Sequence, residues 1–176
     1  SASYTAATQI HGSITLGATK RSKASTMEDT DGQAVFAINR NYYNFLSEAE
    51  FVTAAGVVNG KLISFSIHTT PEDAVDSDAI NPNLLFVDGA CTPLPPVLIT
   101  HPFGLADKWV IQDTENMVDL TFTPASDHFR DMSFFVVHIR AHTVFGRFEG
   151  SLKTKTGDDI PIHAFEGIAK QQLLRL

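Results

Sequence analysis

Across Val118-Asp119-Leu120-Thr121-Phe122-Thr123 every second residue is apolar, and further on Phe148 and Leu152 alternate with Arg147, Glu149, Ser151 and Lys153. A period of two marks a strand with one buried face. Between residues 146–155 and 160–165 stands Thr156-Gly157-Asp158-Asp159, a short polar link whose glycine is free to take positive φ, as a hairpin requires. The same arrangement occurs earlier. In Val57-Val58-Asn59-Gly60-Lys61-Leu62 an Asn-Gly pair separates β-formers, and Ile63, Phe65 and Ile67 then alternate with Ser64, Ser66 and His68. This predicts paired strands over 50–58 and 61–69. Residues 84–90 repeat the pattern with Asp88-Gly89 as the turn.

The remaining segments follow by length and breakers. Residues 8–16 read as a first strand, 17–31 as a polar loop, and 34–38 as a short buried strand. Residues 46–50 favour helix on propensity alone. An acidic loop covers 71–82, and the prolines of 93–102 make that stretch extended and irregular. A strand opens at Trp109, 124–131 is a connector, and a long strand follows over 133–145. Periodicity leaves 167–176 open between strand and short helix. The sum is about nine to eleven strands with hardly any helix, an all-β antiparallel barrel or sandwich. Residues 1–8 read as a disordered or tag-derived start, and 9–176 as one domain. A start at Ser1-Ala2-Ser3 is also what a cut inside a longer protein would leave.

At 176 residues and 43% apolar, with 13 Phe, the chain can bury a real core and is not disordered. A net charge of −7 excludes a nucleic-acid backbone as partner, which needs a basic face. No apolar run is long enough for a membrane span. The single Cys91 allows no internal disulfide and fits a reducing, cytoplasmic compartment.

Four blocks carry a resemblance: Asn83-Leu84-Leu85-Phe86-Val87-Asp88-Gly89, Asp119-Leu120-Thr121-Phe122-Thr123-Pro124, Val144-Phe145-Gly146-Arg147-Phe148-Glu149-Gly150 and Gly167-Ile168-Ala169. In order and spacing they resemble the domain of unknown function 2804, over about residues 9–176, with this chain similar to the C-terminal half of longer members. The family looks related to the lipocalin-like proteins that include carotenoid hydratases and a fungal survival factor. That relation implies a lipocalin-like barrel around an apolar cavity. The sequence also departs from the family. Where members carry Asp-Trp-Gly-Arg-Gly, this chain has Ala37-Ile38-Asn39-Arg40-Asn41, and only the arginine is kept. Ser66 stands for an Asn, Asn81-Pro82-Asn83 for Thr-Glu-Asn, and Lys170 for a Glu. If those residues form a site with a carboxylate acid, the acid is missing, and the resemblance implies binding or structure over catalysis.

His138, Arg140 and His142 share one face of the long strand, opposite Phe135, Val137, Ile139 and Ala141. At the strand rise the two histidines stand roughly 13 Å apart, too far to share a metal. His138 and Arg140 can anchor a ligand head group, since a guanidinium grips a carboxylate through two hydrogen bonds; as a bland alternative they are a wet strand face. Arg40 with Tyr42 and Tyr43 can line an entrance or form a cation–π support, and Asn83 completes the ligand-binding set. His101 and His163 lie beside prolines in surface turns. No catalytic residue, metal site or cofactor motif stands out. The expectation is therefore a non-catalytic module binding an apolar or amphipathic small molecule. The alternatives are a hydratase-like enzyme on a lipophilic substrate and a structural half docking on a second barrel or a second copy.

Overall fold

The computed structural model describes residues 2–19, 22–40, 45–69 and 82–176, and among them there are eleven strands and no helix. The chain divides into two units, Ser1–Arg40 and Asn41–Leu176. In the first, β1 (Ala2–Leu16) pairs antiparallel with β2 (Ser25–Arg40), with a register shift between Ile10 and Gly12. The polar stretch expected as a loop over 17–31 is thus strand from Ser25 onward. Its pairing runs from Leu16↔Ser25, and backbone hydrogen bonding needs no apolar alternation.

The second unit holds β3 (Leu46–Val58), β4 (Lys61–His68), β5 (Leu84–Val87), β6 (Ala90–Pro93), β7 (Val97–Thr100), β8 (Trp109–Asp113), β9 (Val118–Phe134), β10 (Val137–Lys153) and β11 (Asp159–Arg175). They form one antiparallel sheet in the order β6-β5-β4-β3-β11-β10-β9-β8-β7. Each strand pairs with its neighbour in the chain, except across β6 and β7, and the last strand returns to the first through β11–β3. A meander whose ends meet in this way is an up-and-down barrel of the lipocalin-like kind. It is open at one seam.

Asn83 holds that seam. Its buried side chain accepts the His68 backbone N–H at 2.7 Å and donates to the Pro95 carbonyl at 3.0 Å, while its own carbonyl accepts the Leu94 N–H at 2.9 Å. The 94–96 connection is thereby drawn against the end of β4, where Thr69 bridges Val97.

The inward rows of the lower barrel are wholly apolar. Val144, Ala169, Val52 and Ile67 lie side by side on β10, β11, β3 and β4, all buried. One row down, Gly146, Gly167, Ala54 and Phe65 repeat the arrangement. The centre is filled by rings in sequence: Phe65 meets Phe148 edge-on at 5.2 Å, Phe148 lies 4.6 Å from Phe122, and Phe122 meets Trp109 at 5.9 Å. Glycine makes this possible. A Cβ at Gly146 would fall on the Thr123 carbonyl and the Phe122 ring, and one at Gly167 on the Thr53 carbonyl and Phe148. The barrel wall is thinned where the largest side chains press on it.

Several local expectations are corrected. Residues 46–50, which favour helix on propensity alone, belong to β3, and 167–176, open between strand and short helix in the sequence, continue β11 through Arg175. The connector placed at 124–131 is part of β9, and the long strand placed at 133–145 breaks at Phe135-Val136 into the turn between β9 and β10. A bulge between Phe145 and Gly146 keeps β9 and β10 paired past Pro124. The phenylalanines also divide. Phe65, Phe122, Phe148 and Phe165 are core, whereas Phe36, Phe45, Phe103, Phe129, Phe134, Phe135 and Phe145 are exposed.

Candidate functional site

Above the apolar rows the inward face of the same strands turns polar. The next row is Phe129, His142, Gln171 and Glu50, in register on β9, β10, β11 and β3. Beyond it come Asp131, Arg140, Leu173 and Glu48, then Ser133, His138, Arg175 and Leu46. The strand period dictates this: positions that are Val52, Val144 and Ala169 in one row become Glu50, His142 and Gln171 two residues further out.

Glu50 is the centre of the first polar row. One carboxylate oxygen, Oε1, accepts from Gln171 Nε2 at 2.7 Å and faces His101 Nε2 at 2.9 Å. An ionised carboxylate only accepts, so His101 carries its proton on Nε2. The His101 ring in turn lies 4.9 Å from Trp109, the upper end of the aromatic stack. The Glu50 side chain is 14% exposed and that of His101 25%, so the pair is sheltered but reachable. Thr69, whose N–H donates to the Glu50 carbonyl at 3.0 Å, has a buried hydroxyl without a partner among the described residues. A second carboxylate–imidazole pair lies across the row, His142 Nδ1 at 2.8 Å from Asp127 Oδ2, with the Phe129 ring 4.5 Å from that imidazole. The result is two carboxylate–imidazole pairs, one against the Trp109 ring and the other against the Phe129 ring.

Further out, Asp131 bridges two of the residues singled out in the sequence: His138 Nε2 lies 2.7 Å from Oδ1, and Arg140 Nε donates to Oδ2 at 3.2 Å. The hydrogen bond with His138, opposed by desolvation and reinforced by the charges of His138 and Arg140, holds the Asp131 carboxyl below its ordinary value. His138 and Arg140 therefore sit on the inward face together, tied to one carboxylate. Asn83 lies apart from them at the seam. Arg40 ends β2 in the other unit, and Tyr42 and Tyr43 lie outside the described residues. Glu50, Thr69, His101, Asp127 and Gln171 were missed. The readable signal was a polar residue continuing an apolar period-two series, as Glu50 does below Val52 and Ala54. His101, expected in a surface turn, instead continues the inward series Val97, Ile99 of β7.

On the outer face His68 stacks on Phe51 at 5.2 Å, and burial pushes its imidazole below the ordinary value. An open depression of about 590 Å³ lies elsewhere, between Pro93–Pro95 and Met117, Lys153 and Lys155. Among the described residues no three His, Cys, Asp or Glu side chains are grouped to hold a metal, and no helix is long and apolar enough to cross a membrane. Cys91 is free and exposed.

Neither a curated protein nor a solved structure matches the chain. A family profile does match, over residues 3–176, and takes in every strand described above apart from the first residue of β1. The chain belongs to the DUF2804 family, a domain of unknown function.

Proposed function

We propose that the barrel is a non-catalytic binding module for an amphipathic small molecule, whose apolar part rests on these aromatic rings and whose polar end meets the polar row. The observation that carries this is the juxtaposition of Trp109 and Phe129 with Glu50, His101, Gln171, His142 and Asp127 on one inward face. Ligand sites combine mostly apolar walls with a few convergent polar groups in this way. Glu50 fits the role: its Oε1 is occupied by protein donors, leaving Oε2 for a ligand hydroxyl. The Thr69 hydroxyl, without a partner among the described residues, supplies a further group nearby. His138 and Arg140, bound to Asp131, serve as an outer rim in this reading. The kinship with the lipocalin-like proteins is part of the same proposal.

The test uses the single tryptophan. Titration with dodecanol and with dodecanoate, followed by Trp109 fluorescence, should saturate, and Glu50→Ala or His142→Ala should weaken the response at least tenfold. A linear, unsaturable response in the wild type would end the proposal.

One observation favours a second reading, an acid–base enzyme on a lipophilic substrate, related in chemistry to the hydratases. The sheltered Glu50–His101 pair supplies a carboxylate and an imidazole at hydrogen-bond distance, the kind of group that moves protons. The acid absent from the family-aligned positions has a candidate here in a different place. Turnover of an unsaturated amphiphile, abolished by Glu50→Gln with binding retained, would select this reading over the first.

A further inference from the structure

The turn between β9 and β10 breaks a rule that the chain's two other two-residue hairpins obey. The two-residue hairpins at Asn59-Gly60 and Asp88-Gly89 place at positive φ the residue types that tolerate it. The β9–β10 turn instead places Phe135 at φ 52, at the first central position, where a glycine is the ordinary solution. The side chains presented there are apolar and bare. Phe134 is 72% exposed, Phe135 93% and Val136 79%, with the two rings packed edge-on at 4.7 Å. Counting seven residues along β10 from Val144 to Val137, this tip stands roughly 23 Å beyond the last buried apolar row. Phe135 combines an unfavourable backbone conformation with solvent exposure, and its two neighbours share the exposure, in a hairpin that needs neither.

We infer that the Phe134-Phe135-Val136 tip inserts into the surface of a neutral lipid bilayer as a peripheral anchor. Size argues for lipid over protein. Two rings and a valine at these exposures offer on the order of 450 Å², well under the roughly 800 Å² that each partner of a stable protein complex contributes. The tip is convex and narrow, suited to penetrating the shallow 5–10 Å of the acyl boundary. Charge argues for a neutral surface, because a chain of net charge −7 is repelled by anionic headgroups. On the stem just behind the tip His138 and Arg140 pair with Asp131, while Arg130 donates to His128 and Arg175 lies over the Phe45 ring, so what is left toward an acidic surface is two separate guanidiniums against the net negative charge of the chain. The inference does not depend on what the inward face binds.

The experiment is vesicle flotation of the full chain on phosphatidylcholine alone and on phosphatidylcholine with about one third phosphatidylserine, beside sedimentation velocity without lipid. The variant Phe135→Gly/Val136→Ser gives the turn the residues its backbone prefers, so it should melt no lower than the wild type. The expected result is wild-type flotation on neutral vesicles, weaker flotation on the anionic ones, and at least a tenfold loss in the variant. Three results would overturn the inference: no wild-type flotation, equal flotation of the variant, or stronger binding to anionic vesicles. Self-association of the wild type that the variant abolishes, with no flotation, would equally overturn it and assign the tip to a protein contact.

Discussion

Replacing Glu50 tests the polar row most directly, because two donors from distant parts of the chain converge on one of its oxygens. His101 Nε2 lies 2.9 Å and Gln171 Nε2 2.7 Å from Oε1. A hydrogen bond to a charged acceptor contributes about 1.5–3 kcal/mol, so an intact pair would be worth roughly 3–6 kcal/mol. His101 is a quarter exposed and Glu50 14% exposed. Orphaned donors can therefore recover part of this from water, and Glu50→Ala should cost about 2–4 kcal/mol. Glu50→Gln is different in kind. Its amide oxygen can still accept from both donors, and only the charge assistance is lost, so the cost should be about 1 kcal/mol or less. Urea unfolding followed by Trp109 fluorescence separates the two, since the ring is fully buried in the core. Equal losses for Ala and Gln, or an Ala variant within about 0.5 kcal/mol of wild type, would show that Glu50 does not bridge β7, β3 and β11.

Other consequences follow from packing and burial. Gly146→Ala should destabilise by about 3 kcal/mol or leave the chain insoluble, because the new methyl group falls on the Thr123 carbonyl and the Phe122 ring; thermal melting checks it. Asn83→Ala removes the partners of the His68 N–H and the Pro95 carbonyl inside the seam, and should cost about 2–3 kcal/mol, with faster amide exchange at His68. The His68 imidazole is held below its unfolded value of 6.5 by burial. Its contribution to stability is therefore present above pH 6.5 and lost as the pH falls through the unfolded value toward the folded one. His68→Phe should flatten that part of the urea midpoint's pH dependence, and an unchanged slope would assign it to another group.

The elements legible in the sequence were those whose local chemistry and tertiary role agree. Asn59-Gly60, Asp88-Gly89 and Gly157 announce turns because only residues tolerant of positive φ sit there, and all are turns. The inward series Val118, Leu120, Phe122 was readable because water lies on one side and rings on the other. The outer half of β9 was not readable. From Ala125 to Phe134 it is exposed on both faces, so no alternation exists to be seen, and its strand state comes from register with β10. The β9–β10 turn was hidden because its residues are β-formers. The site was the least legible part. Glu50 and His101 are 51 residues apart and Glu50 and Gln171 121 apart, and neither partner has a local pattern that names the other.

This division follows from how a strand carries two kinds of information. Along β3, β10 and β11 one face reads apolar and then, without a change of period, polar: Ala54, Val52, Glu50, Glu48 on β3, and Phe148, Gly146, Val144, His142, Arg140 on β10. The lower rows bury their side chains and set the fold. In the upper rows the backbone ladder and register are already fixed from below, so side chains there are free to be chosen for chemistry. Substitutions should therefore divide at the boundary between Val52 and Glu50, Val144 and His142, and Ala169 and Gln171. Below it, loss of a buried side chain such as Phe148 costs about 3–5 kcal/mol whatever is bound. Above the bridged pair, a change such as Arg140→Ala is limited to an exposed ion pair worth about 1 kcal/mol or less, and its larger effect should fall on whatever the inward face receives.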